Sequence, residues 1–230
     1  MQKAMINTLS NVNDREGRSE PSCGGLVPVA SSETENSQSG VSLDYVRKEG
    51  YQWFVLRTTY NRSEQAYEAF VDDHVQTYLP MRYALKLVNG KKKRVLEPFL
   101  SNLIFIYVTP QQAEAYVSRS PELSSFLRYY RNRLLPRGFD DKHPPLVIRF
   151  ADMMNFIRVT SVDNVHVCLI HPDQCHYKSG DRVRIIDGEF KGVVGRVARV
   201  AGQQRVVVEL SGLCLVATAY VPSAFIERVE

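Results

Sequence analysis

The stretch Lys178–Leu210 constrains the fold of this chain more than any other part of its sequence. Apolar and polar residues alternate through Arg182–Ile185 and again through Arg205–Leu210, the period-two pattern of strands with one buried face. Glycines interrupt this β-rich stretch at short intervals, and there they permit sharp bends or close backbone approach. Short strands joined by tight glycine turns within about fifty residues predict a small closed β-barrel.

Two turns are predicted inside the stretch. Asp187-Gly188 is a hairpin signal, because tight turns need φ > 0, which Gly, Asn and Asp adopt most easily. Ala201–Gln204 is the second predicted turn, since Gly202 separates two apolar strand patterns.

Length and composition restrict the class of protein. The 230 residues have room for one large or two small domains. The longest apolar run, Leu103–Val108, is far shorter than the roughly 20 residues that span a bilayer, and residues 1–20 lack the apolar core of a signal peptide. The four cysteines form no tight pairing pattern, which is typical of a reducing compartment. These features predict a soluble cytosolic protein without membrane contact.

Positive charge is concentrated in the middle of the chain. Residues 51–160 hold 16 Lys and Arg against 10 Asp and Glu, whereas residues 1–50 hold 5 against 7 and residues 161–230 hold 8 against 8. This is a modest bias towards polyanionic partners.

Upstream of the glycine-rich stretch, the pattern predicts an α+β unit. Residues 1–48 are rich in Ser, Asn, Glu and Gly, which predicts a disordered leader, with a short binding peptide at Leu26–Ala30 as the alternative. An apolar strand follows at Trp53–Leu56, then a helix over 63–75 with Asn61 as its N-cap. A hairpin at Asn89-Gly90 and a second helix capped by Thr109 complete a β-α-β-β-α-β order. That order is the ferredoxin-like antiparallel sandwich, with two helices on one side of the sheet.

The pattern of glycines and apolar residues from Gly180 to Val197 resembles the KOW motif of the NusG and ribosomal-protein families. The upstream unit resembles the NusG N-terminal (NGN) domain, with Trp53-Phe54-Val55 as its aromatic first strand and Tyr78-Leu79-Pro80 before its hairpin. The resemblance covers roughly residues 51–230. It implies a ferredoxin-like NGN domain over 49–160, a linker over 161–177 and an SH3-like KOW barrel over 178–230.

Two positions depart from the general NusG pattern. The chain reads Phe99-Leu100-Ser101-Asn102 where the general factor has Pro-Gly after its paired aromatics, and Ser211 stands where the general factor places a large apolar residue for Rho or a ribosomal protein. The resemblance is therefore greatest to the specialised paralogues that antiterminate surface-polysaccharide operons. It implies a monomeric, non-enzymatic factor that binds the RNA polymerase clamp helices and non-template DNA or nascent RNA. The alternatives are a general NusG that couples polymerase to Rho or ribosomes, and a ribosome- or RNA-binding KOW protein.

Basic side chains supply the candidate nucleic-acid contacts. The resemblance implies that Arg57 and Arg62, at the start of the first helix, contact non-template DNA. Arginines at 128, 131, 133 and 137 are interleaved with tyrosines, and arginine offers bidentate phosphate contacts while tyrosine can stack on a base. The hairpin carries a further basic run. We expect the nucleic-acid contacts at Arg57, Arg62, Lys91, Lys92, Lys93, Arg94 and Arg131.

The expected polymerase surface is apolar. The resemblance implies that positions near Phe99 and Leu100 receive the clamp helices, with Tyr83 beside them. Each could instead be a core residue, but an exposed apolar depression usually marks an interface. For Leu100 we favour the depression.

No catalytic or cofactor site is predicted. His166, Cys168, His171, Cys175 and His176 crowd eleven residues, but without a Cys-x-x-Cys pair the spacing implies no familiar zinc site. The chain also lacks a nucleophile elbow, a phosphate-binding loop and a dinucleotide fingerprint. Neither enzymatic activity nor a cofactor is therefore expected.

Overall fold

The computed structural model describes residues 45–174 and 176–229, without the side chains of Val88 and residues 176–181. Its regular elements run along the chain as follows: β1 (Gln52–Thr58), α1 (Ser63–Asp72), β2 (Gln76–Tyr78), β3 (Met81–Val88), β4 (Lys91–Pro98), β5 (Leu103–Val108), α2 (Pro110–Ser118), β6 (Leu127–Tyr129), β7 (Val147–Ile148), α3 (Phe150–Thr160), β8 (Cys168–Ile170), β9 (His176–Ile185), β10 (Val194–Val200), β11 (Gln203–Leu210), β12 (Cys214–Tyr220) and β13 (Ile226–Arg228).

The first sheet has the strand order β2-β5-β1-β6, with β7 also paired to β1, and all of its strand pairs are antiparallel. Helices α1 and α2 pack on one face of this sheet, in a core that includes Phe54, Phe70 and Ala113. Helix α3 packs on the opposite face, in a core that includes Trp53 and Phe156. The β3–β4 hairpin forms a separate two-stranded sheet. The α+β class with antiparallel sheets is thus confirmed.

Both faces of β1 are covered, which explains its sequence. Trp53, Phe54, Val55 and Leu56 are all buried, so the strand reads as a continuous apolar run and does not alternate. Tyr45 packs edge-on against Trp53 with ring centroids 5.3 Å apart. Tyr45 is buried although it lies in the predicted disordered leader, so that prediction is wrong at this position; residues 1–44 lie outside the described part of the chain.

The second sheet has the order β13-β9-β10-β11-β12-β8. Strand β8 lies in the segment predicted as a linker and pairs with β12. A Cβ added to Gly195 would lie 2.5 Å from the Val207 carbonyl oxygen, so glycine permits the close approach of β10 and β11. The predicted turn at Ala201-Gly202 joins β10 to β11 with φ of 49° and 79°. The predicted tight hairpin at Asp187-Gly188 is wrong, because residues 186–193 connect β9 to β10.

Helix α3 lies between the two sheets. Seven of its residues, Met153, Met154, Asn155, Phe156, Ile157, Val159 and Thr160, are buried, although a surface helix would bury a single stripe. Asn155 Oδ1 accepts a hydrogen bond of 2.9 Å from the Val194 backbone N–H of β10. The core on this side also continues from Phe156 to Val206 and Val208 of β11. The helix therefore joins the two sheets into one packed body.

Of the two predicted helix caps, the one at Thr109 is confirmed and the one at Asn61 is wrong. Thr109 caps α2 in a complete capping box with Gln112, as predicted. Asn61 does not cap α1, because the N-cap residue is Arg62 and no side chain caps the helix. Asn61 instead has φ of 55°, and its backbone N–H donates to Asn102 Oδ1 at 3.2 Å. A contact with a residue far along the chain has replaced the local cap.

In the described residues, no helix is both long and apolar enough to cross a membrane.

Candidate nucleic-acid interface and docking depression

Two arginines lie side by side near the end of β1. Arg57 of β1 is exposed and directly faces Arg128 of β6 in the antiparallel register, so the two side chains project from the same face of the sheet. The next residue, Thr58, donates its backbone N–H to the Asn102 carbonyl at 2.9 Å, which fixes the end of the strand.

The loop after β1 presents an exposed aromatic ring. Tyr60 is 86% exposed, and its φ of 58° is in the left-handed region. The neighbouring Thr59 donates its backbone N–H to the Phe126 carbonyl at 3.0 Å, so the loop is tied to the segment before β6. Tyr60 is not among the residues predicted from the sequence, although an aromatic residue in an otherwise polar loop is typical of a binding surface.

Arg62 lies against two aromatic rings. Its guanidinium carbon is 5.8 Å from the Tyr60 ring centroid and 5.2 Å from that of Phe126. Such cation–π contacts orient the guanidinium and leave its N–H groups able to donate. We call the four residues Arg57, Tyr60, Arg62 and Arg128 the β1-end surface. It combines phosphate-binding cations with a ring on which a base can stack.

The basic run of the β3–β4 hairpin divides into two parts. Lys91, Lys92 and Lys93 are exposed near its tip. Arg94 instead forms a 2.6 Å ion pair with Asp163, and its guanidinium lies 4.0 Å from the Tyr83 ring centroid. The lysines are therefore better placed than Arg94 to meet an external phosphate.

The base of the hairpin has its own charge cluster. Glu97 pairs with Lys86 at 2.6 Å and with Arg82 at 2.9 Å. The hydrogen bond from Lys86 is the largest cause that lowers the pKa of the Glu97 carboxyl, and Arg82 adds to it. With two cations against one carboxylate, this cluster keeps one net positive charge.

Arg131 has a structural role. It donates to the His143 carbonyl at 3.0 Å and lies over the Tyr129 ring at 5.5 Å. Burial is the largest cause that raises the pKa of Tyr129 to about 12, and the nearby Glu114 adds to it. Arg131 thus holds the two ends of the 132–144 segment together.

The three predicted polymerase-binding residues lie in different environments. Phe99 and Leu100 are only 5% and 7% exposed and belong to the core beside α3. The expectation that Leu100 forms an exposed depression is therefore wrong for this arrangement. Tyr83 is half-buried beneath Arg94.

A depression nevertheless exists at the base of the hairpin. Its volume is about 250 Å³. Tyr83 and Phe99 form one wall, and Val162, Val165 and Val167 contribute to the other. Leu100 is not among its lining residues. The structure thus brings together two of the three predicted residues.

The His/Cys-rich segment shows no metal site in its described part. Among the described side chains, which exclude those of Cys175 and His176, no group of three or more His, Cys, Asp or Glu is placed to hold a metal ion. Cys175 lies outside the described residues. The His166 carbonyl and the Cys168 sulfur instead accept hydrogen bonds from Arg205 at 2.8 and 3.6 Å.

A known protein family matches the part of the chain that carries the β1-end surface. Residues 51–138 match the NusG family model, described as "Transcription termination factor nusG". The matched range runs from the start of β1 through β6 and contains the whole β1-end surface. A solved structure of NusG from Thermotoga maritima, concerned with domain interaction in that protein, is 16% identical, with 78% of this chain and 98% of that chain covered and a TM-score of 0.36. No curated protein sequence matches the chain.

Proposed function

We propose that this protein is a non-enzymatic transcription elongation factor that binds RNA polymerase and contacts single-stranded non-template DNA. The observation that carries the proposal is the NusG family match over residues 51–138, which contains the β1-end surface. Arg57 offers its guanidinium group to phosphates, and the adjacent Arg128, whose Nη1 already donates to the Ser124 and Leu127 carbonyls, offers its remaining N–H groups. Tyr60 offers its exposed ring to an unpaired base. The lysines near the hairpin tip, Lys91, Lys92 and Lys93, add electrostatic attraction for the same strand.

The polymerase contact is proposed at the base of the β3–β4 hairpin. The depression beside Tyr83 and Phe99 is concave and partly apolar, which suits amphipathic helices such as the clamp helices. Leu100 contributes from beneath by supporting Phe99 in the core. Its proposed role is therefore to shape the surface.

The proposed outcome is suppression of pausing and termination on a restricted set of operons, such as those for surface polysaccharides. Support comes from the two departures from the general pattern, at Phe99–Asn102 and at Ser211. Ser211 is exposed, and its small polar side chain gives a Rho or ribosomal partner no apolar anchor. A general NusG role is the second candidate and predicts binding to Rho or to a ribosomal protein.

A binding experiment with elongation complexes tests the proposal. We expect the wild-type protein to be retained on core RNA polymerase and to protect the non-template strand. Replacing Arg57 and Arg62 with Gln should keep retention but weaken DNA binding. The slope of log K against log salt should fall by about 0.7 for each lost phosphate contact.

The matched control replaces Lys191 and Arg199 with Gln. Lys191, in the connection between β9 and β10, and Arg199 of β10 are both exposed and do not belong to the proposed interface. If the control and test variants lose equal DNA affinity, the β1-end surface contributes only nonspecific electrostatic attraction, and the proposed DNA contact there is refuted. Absence of polymerase retention in the wild type would refute the proposed function itself.

A further inference from the structure

The loop over residues 132–144, between β6 and β7, displays apolar side chains to solvent. Phe139 is fully exposed, Leu134 is 71% exposed and Leu135 is 50% exposed. Three large apolar residues within six positions form a patch and are not the isolated exposures common on protein surfaces.

Internal hydrogen bonds hold this 132–144 loop in one shape. At its base, the Asn132 backbone N–H donates to the Pro144 carbonyl at 2.8 Å, and Asn132 Oδ1 accepts from the Leu134 backbone N–H at 3.0 Å. Near its tip, the Gly138 backbone N–H donates to the Lys142 carbonyl at 2.8 Å. The His143 ring nitrogen Nδ1 pairs with the Leu135 carbonyl at 2.7 Å. The loop is therefore preorganised around Phe139.

The charged side chains of the loop are largely committed to this internal structure. The Arg137 Nη1 donates to both carboxylate oxygens of Asp141 at 3.0 Å. Arg131 is bonded to the His143 carbonyl at the loop base. Lys142 lies 3.9 Å from Asp140. These pairings commit two of the three cations within residues 132–144 and leave Arg133, while two of the three exposed apolar side chains are leucines, which offer no stacking face to a base. The surface thus favours a protein over a nucleic acid.

We propose that the 132–144 loop is a protein-docking element that inserts Phe139 into an apolar pocket with an acidic rim on RNA polymerase. The acidic rim follows from charge complementarity, because residues 131–143 hold four Lys and Arg against two Asp. A rigid loop loses little conformational entropy on binding, and one aromatic side chain in a pocket often carries much of the affinity. The inference rests on the proposed function, since it assigns a second contact on the same partner.

The position of the loop supports a joint interface with polymerase. The loop begins where β6 ends, and Arg128 of β6 belongs to the β1-end surface. An added Cβ at Gly212, in the turn between β11 and β12, would lie 3.3 Å from Asn132 Oδ1, so this turn also braces the loop base. The base of the loop is thus anchored directly after the strand that carries Arg128.

The test measures the dissociation constant of the full chain for core RNA polymerase purified from the source organism. Phe139→Ser should raise Kd by roughly tenfold or more. Phe139→Leu should raise it less, because a smaller apolar anchor remains. Tyr220→Ser, which removes an exposed aromatic ring from β12, is the matched control and should leave Kd unchanged. Because Phe139 is fully exposed, its variants should melt like the wild type.

The outcomes separate this inference from the proposed function. If the wild type binds polymerase and Phe139→Ser binds equally well, the docking loop is refuted while the proposed function stands. If Phe139→Ser instead weakens binding to a single-stranded oligothymidine with polymerase affinity unchanged, the loop is a nucleic-acid platform and the protein pocket is refuted. Failure of the wild type to bind polymerase overturns both proposals.

Discussion

Replacing Phe156 with alanine should remove the main support of α3 against the first sheet. Its side chain is fully buried, and its ring meets Tyr78 edge-on with centroids 6.1 Å apart and Phe105 at 5.4 Å. A buried Phe→Ala change costs about 3–5 kcal/mol of unfolding free energy through lost transfer energy and cavity formation. Loss of the two aromatic pairs places the expected value in the upper part of that range.

A second effect acts through Tyr78. The Tyr78 hydroxyl is 2.7 Å from Thr160 Oγ1 at the end of α3, a buried hydrogen bond that depends on the position of the helix. If α3 shifts towards the cavity, this bond lengthens and its free energy is partly lost. The cost of Phe156→Ala should therefore exceed that of an isolated apolar truncation.

The assay is urea unfolding monitored by tryptophan fluorescence, because the single tryptophan, Trp53, lies in the same core as Phe156. In a parallel thermal melt, Tm should fall by about 2–4 °C for each kcal/mol lost in a chain of this size. Phe139→Ala is the matched control, since the same atoms are removed from a fully exposed site, and it should change stability by no more than about 0.5 kcal/mol. Equal losses for the two variants, or a loss below about 1 kcal/mol for Phe156→Ala, would refute the packing of α3 between two sheets.

Three further predictions concern other parts of the fold. Gly195→Ala should destabilise the second sheet by about 1–3 kcal/mol in urea unfolding, because its Cβ would lie 2.5 Å from the Val207 carbonyl oxygen; Gly138→Ala, in a loop, is the control, and equal losses would contradict the close approach. Thr109→Ala should cost about 1 kcal/mol of unfolding free energy through loss of the capping box, with Thr109→Ser largely retaining it. Burial raises the pKa of the Cys214 thiol to about 12; iodoacetamide should therefore alkylate it slowly at pH 8 until urea unfolds the chain, and rapid reaction in the folded state would contradict its burial. Because the folded pKa is the higher one, the contribution of Cys214 to stability should be complete below about pH 9 and should decrease as the pH rises towards 12.

The features correctly predicted from the sequence depend on near neighbours. The capping box at Thr109 and the hairpin tip at Asn89-Gly90 involve residues within four positions of each other, so their chemistry is visible in the sequence. The apolar run Trp53–Leu56 likewise predicts a strand, because so short a run is typical of a strand buried on both faces and a buried helix is usually longer. The class with antiparallel sheets followed from the order of such local signals.

The failed predictions involve long-range contacts. Asn61 has the side chain of an N-cap, but its backbone bonds to Asn102, forty-one positions away, and it adopts a left-handed conformation. Leu100 could face either a partner or the core from its sequence alone. Packing of the segment beside α3 buries it. Neither outcome is encoded within a few residues.

The sequence by itself indicated several of the strands, two of the helices and the location of positive charge, because periodicity, capping and composition act locally. Tertiary structure alone decided which side chains are displayed. It placed Arg57 beside Arg128 by strand register and Arg62 against Tyr60 by a left-handed loop. It also exposed Phe139 on a loop whose charges pair internally. The physical reason is that the exposure of a side chain and its partners depend on which segments, distant in sequence, pack around it. Helix α3 is an example, because residues of both sheets cover it.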